Sequence, residues 1–89
     1  MQLTKHAKVR QQQRGIPPIV IDLLVNYGTV DRSGKGAATH YFDKPSRRRL
    51  HAYIGQLAAV IEPYLDCYAV VSDNGDVITV AHRLKKFHN

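Results

Sequence analysis

This sequence of 89 residues contains one cysteine, no tryptophan and no long apolar run. The single Cys67 cannot form a disulfide within the chain, and it excludes a metal site built from several cysteines. No uninterrupted apolar stretch approaches the roughly 20 residues that a membrane-spanning helix needs. Residues 1–6 also lack the apolar core of a secretory signal. We therefore expect a soluble, cytoplasmic protein.

Acidic residues are also scarce, so the chain is strongly basic. Thirteen Lys and Arg against seven Asp and Glu give a formal net charge of +6 and a pI of about 9.8. This excess favours anionic partners, either nucleic acid or an acidic protein, but it does not choose between them. Hydrophobic residues make up 44% of the chain, which is typical of a globular protein. The length predicts a single domain over residues 1–89.

Two helices are predicted at the start of the chain. The first, over residues 4–14, is polar, begins at the capping residue Thr4 and ends at Gly15. The second begins at Pro17 and Pro18, ends at Gly28 and is amphipathic. Its apolar positions recur at helical spacing and predict that this helix packs on the core: Ile16, Ile19, Val20, Leu23, Leu24 and Tyr27.

The rest of the chain predicts strands and one further helix. A short strand over 29–32 and a returning strand over 38–43 flank a glycine-rich turn at 33–36. A third helix is predicted over 46–61, and Pro63 just beyond this range ends it. The order of elements predicts an α+β domain: two N-terminal helices, a twisted antiparallel sheet of about four strands, and one further helix before a C-terminal β-hairpin.

The C-terminal hairpin has the clearest turn signal. Strands over 67–71 and 77–84 flank Asn74-Gly75, a favoured two-residue turn. Strict alternation would place Ile78, Val80 and His82 toward the helices, and Val77, Thr79, Ala81 and Arg83 on the other face.

Several motifs that carry chemistry are missing from the sequence. The run Ser33-Gly34-Lys35-Gly36 does not lead from a core strand into a helix, as a phosphate-binding loop would. No two histidines stand at metal-ligand spacing with a third ligand nearby, and the acidic residues are scattered. Cys67 lies among apolar neighbours, which is typical of an inert core residue. We expect no metal site and no cofactor.

Three groups of basic residues are candidate functional positions, each with a plain structural alternative. His6, Arg10 and Arg14 share one face of the first helix, where an imidazole with guanidiniums can bind a phosphodiester and transfer protons. The alternative is a solvated face that only keeps the protein soluble. His82 and Arg83 end the last strand, where His82 is either an active-site residue or a histidine at the rim of the core.

The third group lies at the start of the third helix, where Arg47, Arg48 and Arg49 are followed by His51. Cations in a first turn oppose the helix dipole, and a bound phosphate would relieve that conflict. Alternatively, the arginine stems cover apolar surface while their charged ends stay in water.

A family resemblance is carried by three short motifs that frame nearly the whole chain: His6-Ala7 with Arg10, then Gln13-Arg14-Gly15-Ile16, and finally Val77-Ile78-Thr79-Val80-Ala81-His82-Arg83. Together they resemble a family of small bacterial domains of unknown function that is grouped with the RelE-like toxins of toxin–antitoxin modules, within the barnase–EndoU–colicin–RelE nuclease fold. The helix predicted over 46–61 departs from the compact form of that family.

The resemblance implies an α+β fold with two leading helices and cleavage of RNA without a metal. It marks six residues as candidate catalytic positions: His6, Arg10, Arg14, Thr79, His82 and Arg83. In such chemistry a base takes the proton of a ribose 2′-OH, which attacks the adjacent phosphate, while an acid protonates the leaving oxygen. His6 and His82 are the two candidates for the acid and the base, in either order, which requires them to converge on one cleft.

Other residues would then hold the flanking RNA backbone: Arg47, Arg48, Arg49, His51, Lys85 and Lys86. Two other functions stay open. The protein could be a non-catalytic nucleic-acid-binding module, such as a regulator or a mobile-element accessory protein. It could also be an interaction domain whose basic surface docks an acidic partner, such as an antitoxin.

Overall fold

The computed structural model describes residues 2–83, which form helices packed against one antiparallel sheet. In chain order the elements are α1 (Lys5–Gln13), α2 (Pro18–Tyr27), β1 (Thr29–Asp31), β2 (Ala37–Tyr41), α3 (Lys44–Ile54), α4 (Ala58–Ile61), β3 (Cys67–Ser72) and β4 (Val77–His82). The sheet order is β1-β2-β3-β4, and every neighbouring pair is antiparallel. The predicted α+β layout is confirmed. The longest of these helices has 11 residues, too few to cross a membrane.

Helix α2 supplies much of the core, as its spacing predicts. Val20, Ile21 and Leu24 are at most 2% exposed, and Ile16 just before the helix is 1% exposed. Ile19 was predicted to face the core but is 57% exposed, whereas Ile21, which was not among the predicted core positions, is 1% exposed. Successive helical residues are rotated by about 100°, so Ile19 and Ile21 lie on opposite sides of Val20. The side that carries Ile21 is the buried side of the helix.

The free edge of β4 is covered by the N-terminal segment and α1. Thr4 N–H donates to the Val77 carbonyl (2.9 Å), and Val77 N–H donates to the Gln2 carbonyl (2.8 Å). The predicted Thr4 cap is confirmed, because its Oγ1 accepts the Ala7 N–H at 3.1 Å. An exposed strand edge invites pairing with other chains, so α1 acts as its cover.

The predicted continuous helix over 46–61 is wrong. Helix α3 starts two residues earlier, at Lys44, and ends at Ile54, because Gly55 adopts a φ of +60°. This left-handed conformation suits glycine and closes the helix, with the Gly55 N–H bonded to the His51 carbonyl. A 3-10 turn at Gly55–Leu57 then leads into the short α4.

The strand ends also differ from the predicted ones. Strand β1 stops at Asp31, whose side chain accepts the Ser33 N–H (2.9 Å) and starts the turn. Strand β2 spans Ala37–Tyr41 rather than 38–43, because Asp43 leaves the ladder to cap α3. Strand β4 ends at His82 within the described residues, and Leu84 lies outside them.

The hairpin between β3 and β4 contains a longer turn and a bulge. Gly75 N–H donates to the Ser72 carbonyl and Ser72 N–H to the Asp76 carbonyl, both at 2.8 Å, so residues 73–75 form a three-residue loop. Gly75 has a φ of +89°. The predicted two-residue turn at Asn74-Gly75 is therefore wrong, because Gly75 takes the left-handed position after the turn rather than a place within it.

The bulge also overturns the strict alternation predicted for β4. Val71 pairs with Val77, but Val70 pairs with Thr79, so Ile78 is an extra residue on β4. Val77 and Val80 therefore both face the helices, and each is fully buried. Ile78 is only partly buried.

Gly28 lies where the end of α2 meets the end of β2. A Cβ there would come within 2.5 Å of the Leu24 carbonyl oxygen and 3.0 Å of the Tyr41 carbonyl oxygen. Both are backbone atoms, so we expect Gly28→Ala to lower the free energy of unfolding by about 1–3 kcal/mol, measured by denaturant unfolding. Gly34→Ala is the matched control in an open turn and should stay within about 0.5 kcal/mol of wild type. Equal stability of the two variants would contradict this packing.

Asp43 joins β1 to the start of α3. Its Oδ1 accepts the Thr29 hydroxyl (2.8 Å), the Ser46 hydroxyl (2.8 Å) and the Ser46 N–H (3.1 Å). Burial raises the pKa of Asp43, but the hydrogen bonds from Thr29 and Ser46 outweigh it and hold the pKa below its usual 3.8. A depressed carboxyl pKa stabilises the fold above pH 3.8, and this contribution is lost as the pH falls through the folded-state pKa.

We expect Asp43→Ala to lower the free energy of unfolding by about 1–2 kcal/mol at pH 7, the usual cost of losing an N-cap. The difference in free energy of unfolding between the variant and wild type should become smaller as the pH drops below 3.8. Denaturant unfolding at several pH values measures both effects. The exposed Asp22 on α2 provides the control, since Asp22→Ala should show neither. A gap that is independent of pH would contradict the role of the Asp43 carboxylate.

Candidate active site

One end of the sheet collects charged side chains from three separate parts of the chain. Because neighbouring strands are antiparallel, the start of β3 lies beside the end of β4, and Cys67 pairs with His82. Arg83 N–H donates to the Asp66 carbonyl at 2.9 Å. Arg47, in the first turn of α3, reaches the same end of the sheet. Arg47, Asp66, Cys67, His82 and Arg83 are the sheet-end cluster.

The shortest contact in the sheet-end cluster joins a carboxylate to an imidazole. Asp66 Oδ1 lies 2.7 Å from His82 Nδ1, and the two side chains are 50% and 36% exposed. A carboxylate accepts hydrogen bonds, so Nδ1–H of His82 is the donor in this contact. The bond orients the ring and leaves Nε2 as the nitrogen that can exchange protons with a ligand. The Tyr64 ring lies beside it, with 6.2 Å between the ring centroids. An oriented, solvent-accessible histidine is suited to general acid–base chemistry.

Cys67 lies beneath this pair and is fully buried. Its Sγ is 3.7 Å from His82 Nδ1 and 3.8 Å from Nε2. Burial, together with the charge of Asp66, raises the pKa of the Cys67 thiol to about 12. The thiol is therefore protonated near neutral pH, and Cys67 is not a nucleophile in this state.

Two arginines are held at the same end of the sheet. Arg83 Nη2 donates to the Phe42 carbonyl (2.6 Å), and its guanidinium lies 5.1 Å from the centre of the Tyr41 ring. Arg47 Nη2 donates to the Leu65 carbonyl at 3.2 Å. Burial and the nearby charge of Arg47 both lower the pKa of Arg83. The charges of Asp66 and Asp43 offset part of the repulsion between the two guanidiniums, and a bound phosphate would offset more of it.

The structure does not bring His6 to His82. Thr4, two residues before His6, is bonded to the Val77 carbonyl and donates its hydroxyl to the Ile78 carbonyl (3.3 Å). His82 lies four residues beyond Ile78, about 13 Å along the strand. His6 is exposed on the first turn of α1, near the opposite end of β4. A mechanism that needs both histidines in one cleft has no support in this geometry.

The other candidates on α1 and β4 are bonded to or paired with residues other than Asp66 and His82. Arg14 Nη1 donates to the Val80 carbonyl (2.9 Å), which ties the end of α1 to the edge strand. Arg10 Nη1 donates to Gln13 Oε1 on the same helix (3.2 Å). Thr79 pairs with Val70 on the face of the sheet opposite to His82. The structure thus gives Arg14 a structural role.

The basic residues of α3 continue the positive charge of the sheet-end cluster. Lys44, Arg48, Arg49 and His51 are exposed, whereas Arg47 is partly buried. Lys44 and His51 lie one turn before and after Arg47, so the three share one helix face. Lys85 and Lys86 lie outside the described residues.

Asp66 is the site residue that the sequence reasoning missed. Counting paired residues outward from a two-residue turn at Asn74-Gly75 places Cys67 opposite His82. The sequence therefore contained the information that locates Asp66 near His82. The observed register at that end is the same, because the bulge at Ile78 offsets the longer loop. The acidic residue before Cys67 therefore falls beside the end of β4.

Comparisons with protein-family models, with curated proteins and with solved structures gave no match for this chain. The likeness to RelE-like toxins therefore stays an expectation carried by short motifs. A fold alone does not define an activity, so the function has to be argued from the geometry of the sheet-end cluster.

The bond from Arg14 to β4 can be tested by its effect on stability. We expect Arg14→Ala to lower the free energy of unfolding by about 1 kcal/mol, the usual contribution of one hydrogen bond. His6→Ala, at an exposed position on the same helix, should change it by less than about 0.5 kcal/mol. Denaturant unfolding measures both. A stability for Arg14→Ala equal to that of wild type would show that the bond does not hold α1 in place.

Proposed function

We propose that this protein is a ribonuclease of the toxin type, which cleaves RNA without a metal and uses His82 as its acid–base group. The observation that carries the proposal is the 2.7 Å contact between Asp66 and His82 at an exposed sheet end. Arg47 and Arg83 lie at the same end, where they can neutralise a phosphate. The motif resemblance points to the same reaction and shares His82 and Arg83 with this site, but it does not mark Asp66.

In the proposed reaction, His82 Nε2 takes the proton of a ribose 2′-OH. The 2′-oxygen attacks the adjacent phosphorus, the bond to the 5′-oxygen breaks, and a 2′,3′-cyclic phosphate forms. Asp66 stabilises the imidazolium that results, and solvent protonates the leaving oxygen. Arg47 and Arg83 offset the negative charge that builds up on the phosphate oxygens.

The basic face of α3 supports binding of the flanking backbone. Lys44, Arg47 and His51 lie in one row beside the sheet-end cluster, and Arg48 is exposed next to them. Contacts of this kind recognise phosphates rather than bases, and they weaken as salt rises. An acidic partner protein that covers the same cations would block access to RNA. We place this activity in the cytoplasm, where RNA is present and a free cysteine such as Cys67 stays reduced.

A second candidate function is a nucleic-acid-binding module without catalysis. It is favoured by the backbone bonds of the two arginines, since Arg47 donates to Leu65 and Arg83 to Phe42. Those bonds alone would account for both guanidiniums as structural groups. This candidate shares the basic face of α3 and predicts binding that leaves RNA intact.

The deciding measurement is the cleavage of single-stranded RNA by the purified protein in the presence of a metal chelator. We expect products that end in 2′,3′-cyclic phosphate and no cleavage of DNA, which lacks the 2′-OH. His82→Gln should lower the rate by roughly 10²- to 10⁴-fold, the usual contribution of a general acid–base group. Asp66→Asn should lower it less, because it weakens the orientation of His82 and keeps the imidazole.

His6→Gln is the matched control, since it removes an exposed imidazole at the opposite end of β4 and should keep the wild-type rate. Loss of cleavage in His6→Gln, or full cleavage in a folded His82→Gln variant, would contradict the proposed site. Salt-sensitive binding with intact RNA would favour the binding module instead.

A further inference from the structure

The sheet-end cluster brings together three side chains that are each a common metal ligand. One ligand atom from each of Asp66, Cys67 and His82 can be chosen so that all three lie within 4.8 Å of one another. The sulfur of Cys67 is 3.7 Å from His82 Nδ1, and Asp66 Oδ1 is 2.7 Å from that same nitrogen. Ligand atoms around a tetrahedral zinc ion are about 3.3–3.6 Å apart, given their bond lengths. We propose that Asp66, Cys67 and His82 form a binding site for a Zn²⁺ ion.

The backbone already fixes most of this arrangement. Cys67 and His82 are directly paired residues of β3 and β4, so the separation of the sulfur and the imidazole is set by the ladder. The hydrogen bond from Arg83 N–H to the Asp66 carbonyl holds the third residue beside them. The distance between Asp66 Oδ1 and His82 Nδ1 must widen by about 0.6 Å. The Asp66 ligand oxygen, which lies within 4.8 Å of Cys67 Sγ, must settle about 3.6 Å from that sulfur. The Asp66 side chain is half exposed, so it can move that far.

The site also has a route for the ion and room for a fourth ligand. Cys67 is fully buried and forms the floor of the site, whereas the Asp66 and His82 side chains are 50% and 36% exposed. An ion can therefore enter from solvent between these two side chains and complete its coordination with water. Three protein ligands with one open position are typical of zinc sites that are not purely structural.

The donor set selects the kind of metal. A thiolate and an imidazole favour Zn²⁺, whereas Mg²⁺ and Ca²⁺ prefer oxygen ligands alone. On coordination the Cys67 thiol releases its proton to solvent, so the thiolate and the Asp66 carboxylate together balance the two positive charges of the ion. The neighbouring Arg83 then faces a site with no net charge. The thiolate and the carboxylate therefore offset the repulsion between the Arg83 guanidinium and the zinc ion.

Occupation of the site has a consequence for the proposed reaction. A zinc ion bound to His82 Nδ1 would leave the one proton of the neutral ring on Nε2, so Nε2 could no longer accept the proton of the 2′-OH. Bound zinc would therefore stop RNA cleavage. This consequence rests on the proposed function, but zinc binding itself does not.

The binding is tested on the full chain without RNA, with Co²⁺ as a spectroscopic probe for Zn²⁺. We expect one Co²⁺ per chain, a sulfur-to-cobalt charge-transfer band, and visible bands of the intensity that four-coordinate cobalt gives. Zn²⁺ should displace Co²⁺, and both the charge-transfer band and the visible bands should then disappear. Cys67→Ala should abolish the charge-transfer band. Loss of a residue that only supports a metal ligand weakens binding by roughly 10- to 100-fold. Asp66→Asn and His82→Gln remove ligands, so each should weaken Zn²⁺ binding by more than this.

The controls separate this site from adventitious binding and from misfolding. His6→Gln removes an exposed histidine outside the site and should bind Zn²⁺ as wild type does. Asp66→Asn and His82→Gln change partly exposed side chains, so they report on the site even if Cys67→Ala unfolds the core. A folded wild type without the charge-transfer band would overturn the proposal, as would unchanged Zn²⁺ affinity in both Asp66→Asn and His82→Gln. RNA cleavage with saturating Zn²⁺ then tests the consequence separately, and undiminished cleavage would overturn the inhibition alone.

Discussion

The antiparallel pairing of β3 with β4 is the constraint on which both the core and the candidate site depend. It places Cys67, Ala69 and Val80 in the core, where each is fully buried. The same pairing brings Asp66 to His82. A slip of one residue would turn every side chain of β4 to the other face. Stability and the proposed chemistry at the sheet end therefore require the same register, and the apolar residues of the hairpin hold the polar ones in position.

The position of α1 explains why a helix so poor in apolar residues is retained in the fold. Ala7 is the one buried residue of α1. Polar bonds from the two ends of the helix join α1 to β4: the Thr4 N–H to the Val77 carbonyl, the Thr4 hydroxyl to the Ile78 carbonyl, and the Arg14 guanidinium to the Val80 carbonyl. These bonds satisfy carbonyls on an edge strand that would otherwise face solvent or another chain. Two of the polar residues at the ends of α1, Thr4 and Arg14, thus have a structural task.

The order of elements and the core face of α2 were predictable because each has a strong local pattern. Helical spacing identifies Val20 and Leu24, and Thr4 is a favoured capping residue. The break at Gly55 was missed because glycine ends a helix only when the following chain turns away, and that depends on packing. The bulge at Ile78 has no local signal. At the site, His82 and Arg83 were candidates from the motif resemblance, whereas Asp66 becomes visible only when the strands are paired.

The proposed reaction and the proposed zinc site draw on the same side chains, and each explains a feature that the other leaves aside. A general base needs an exposed imidazole and an orienting carboxylate, which His82 and Asp66 supply. It does not need a sulfur 3.7 Å from the ring. A buried thiol stays protonated because burial disfavours its anion, and a bound cation is the direct way to stabilise that anion. With a zinc ion on Nδ1, the neutral ring keeps its one proton on Nε2, which cannot accept another, so the two states exclude each other. In the proposed scheme His82 acts as a base only while no zinc ion is bound.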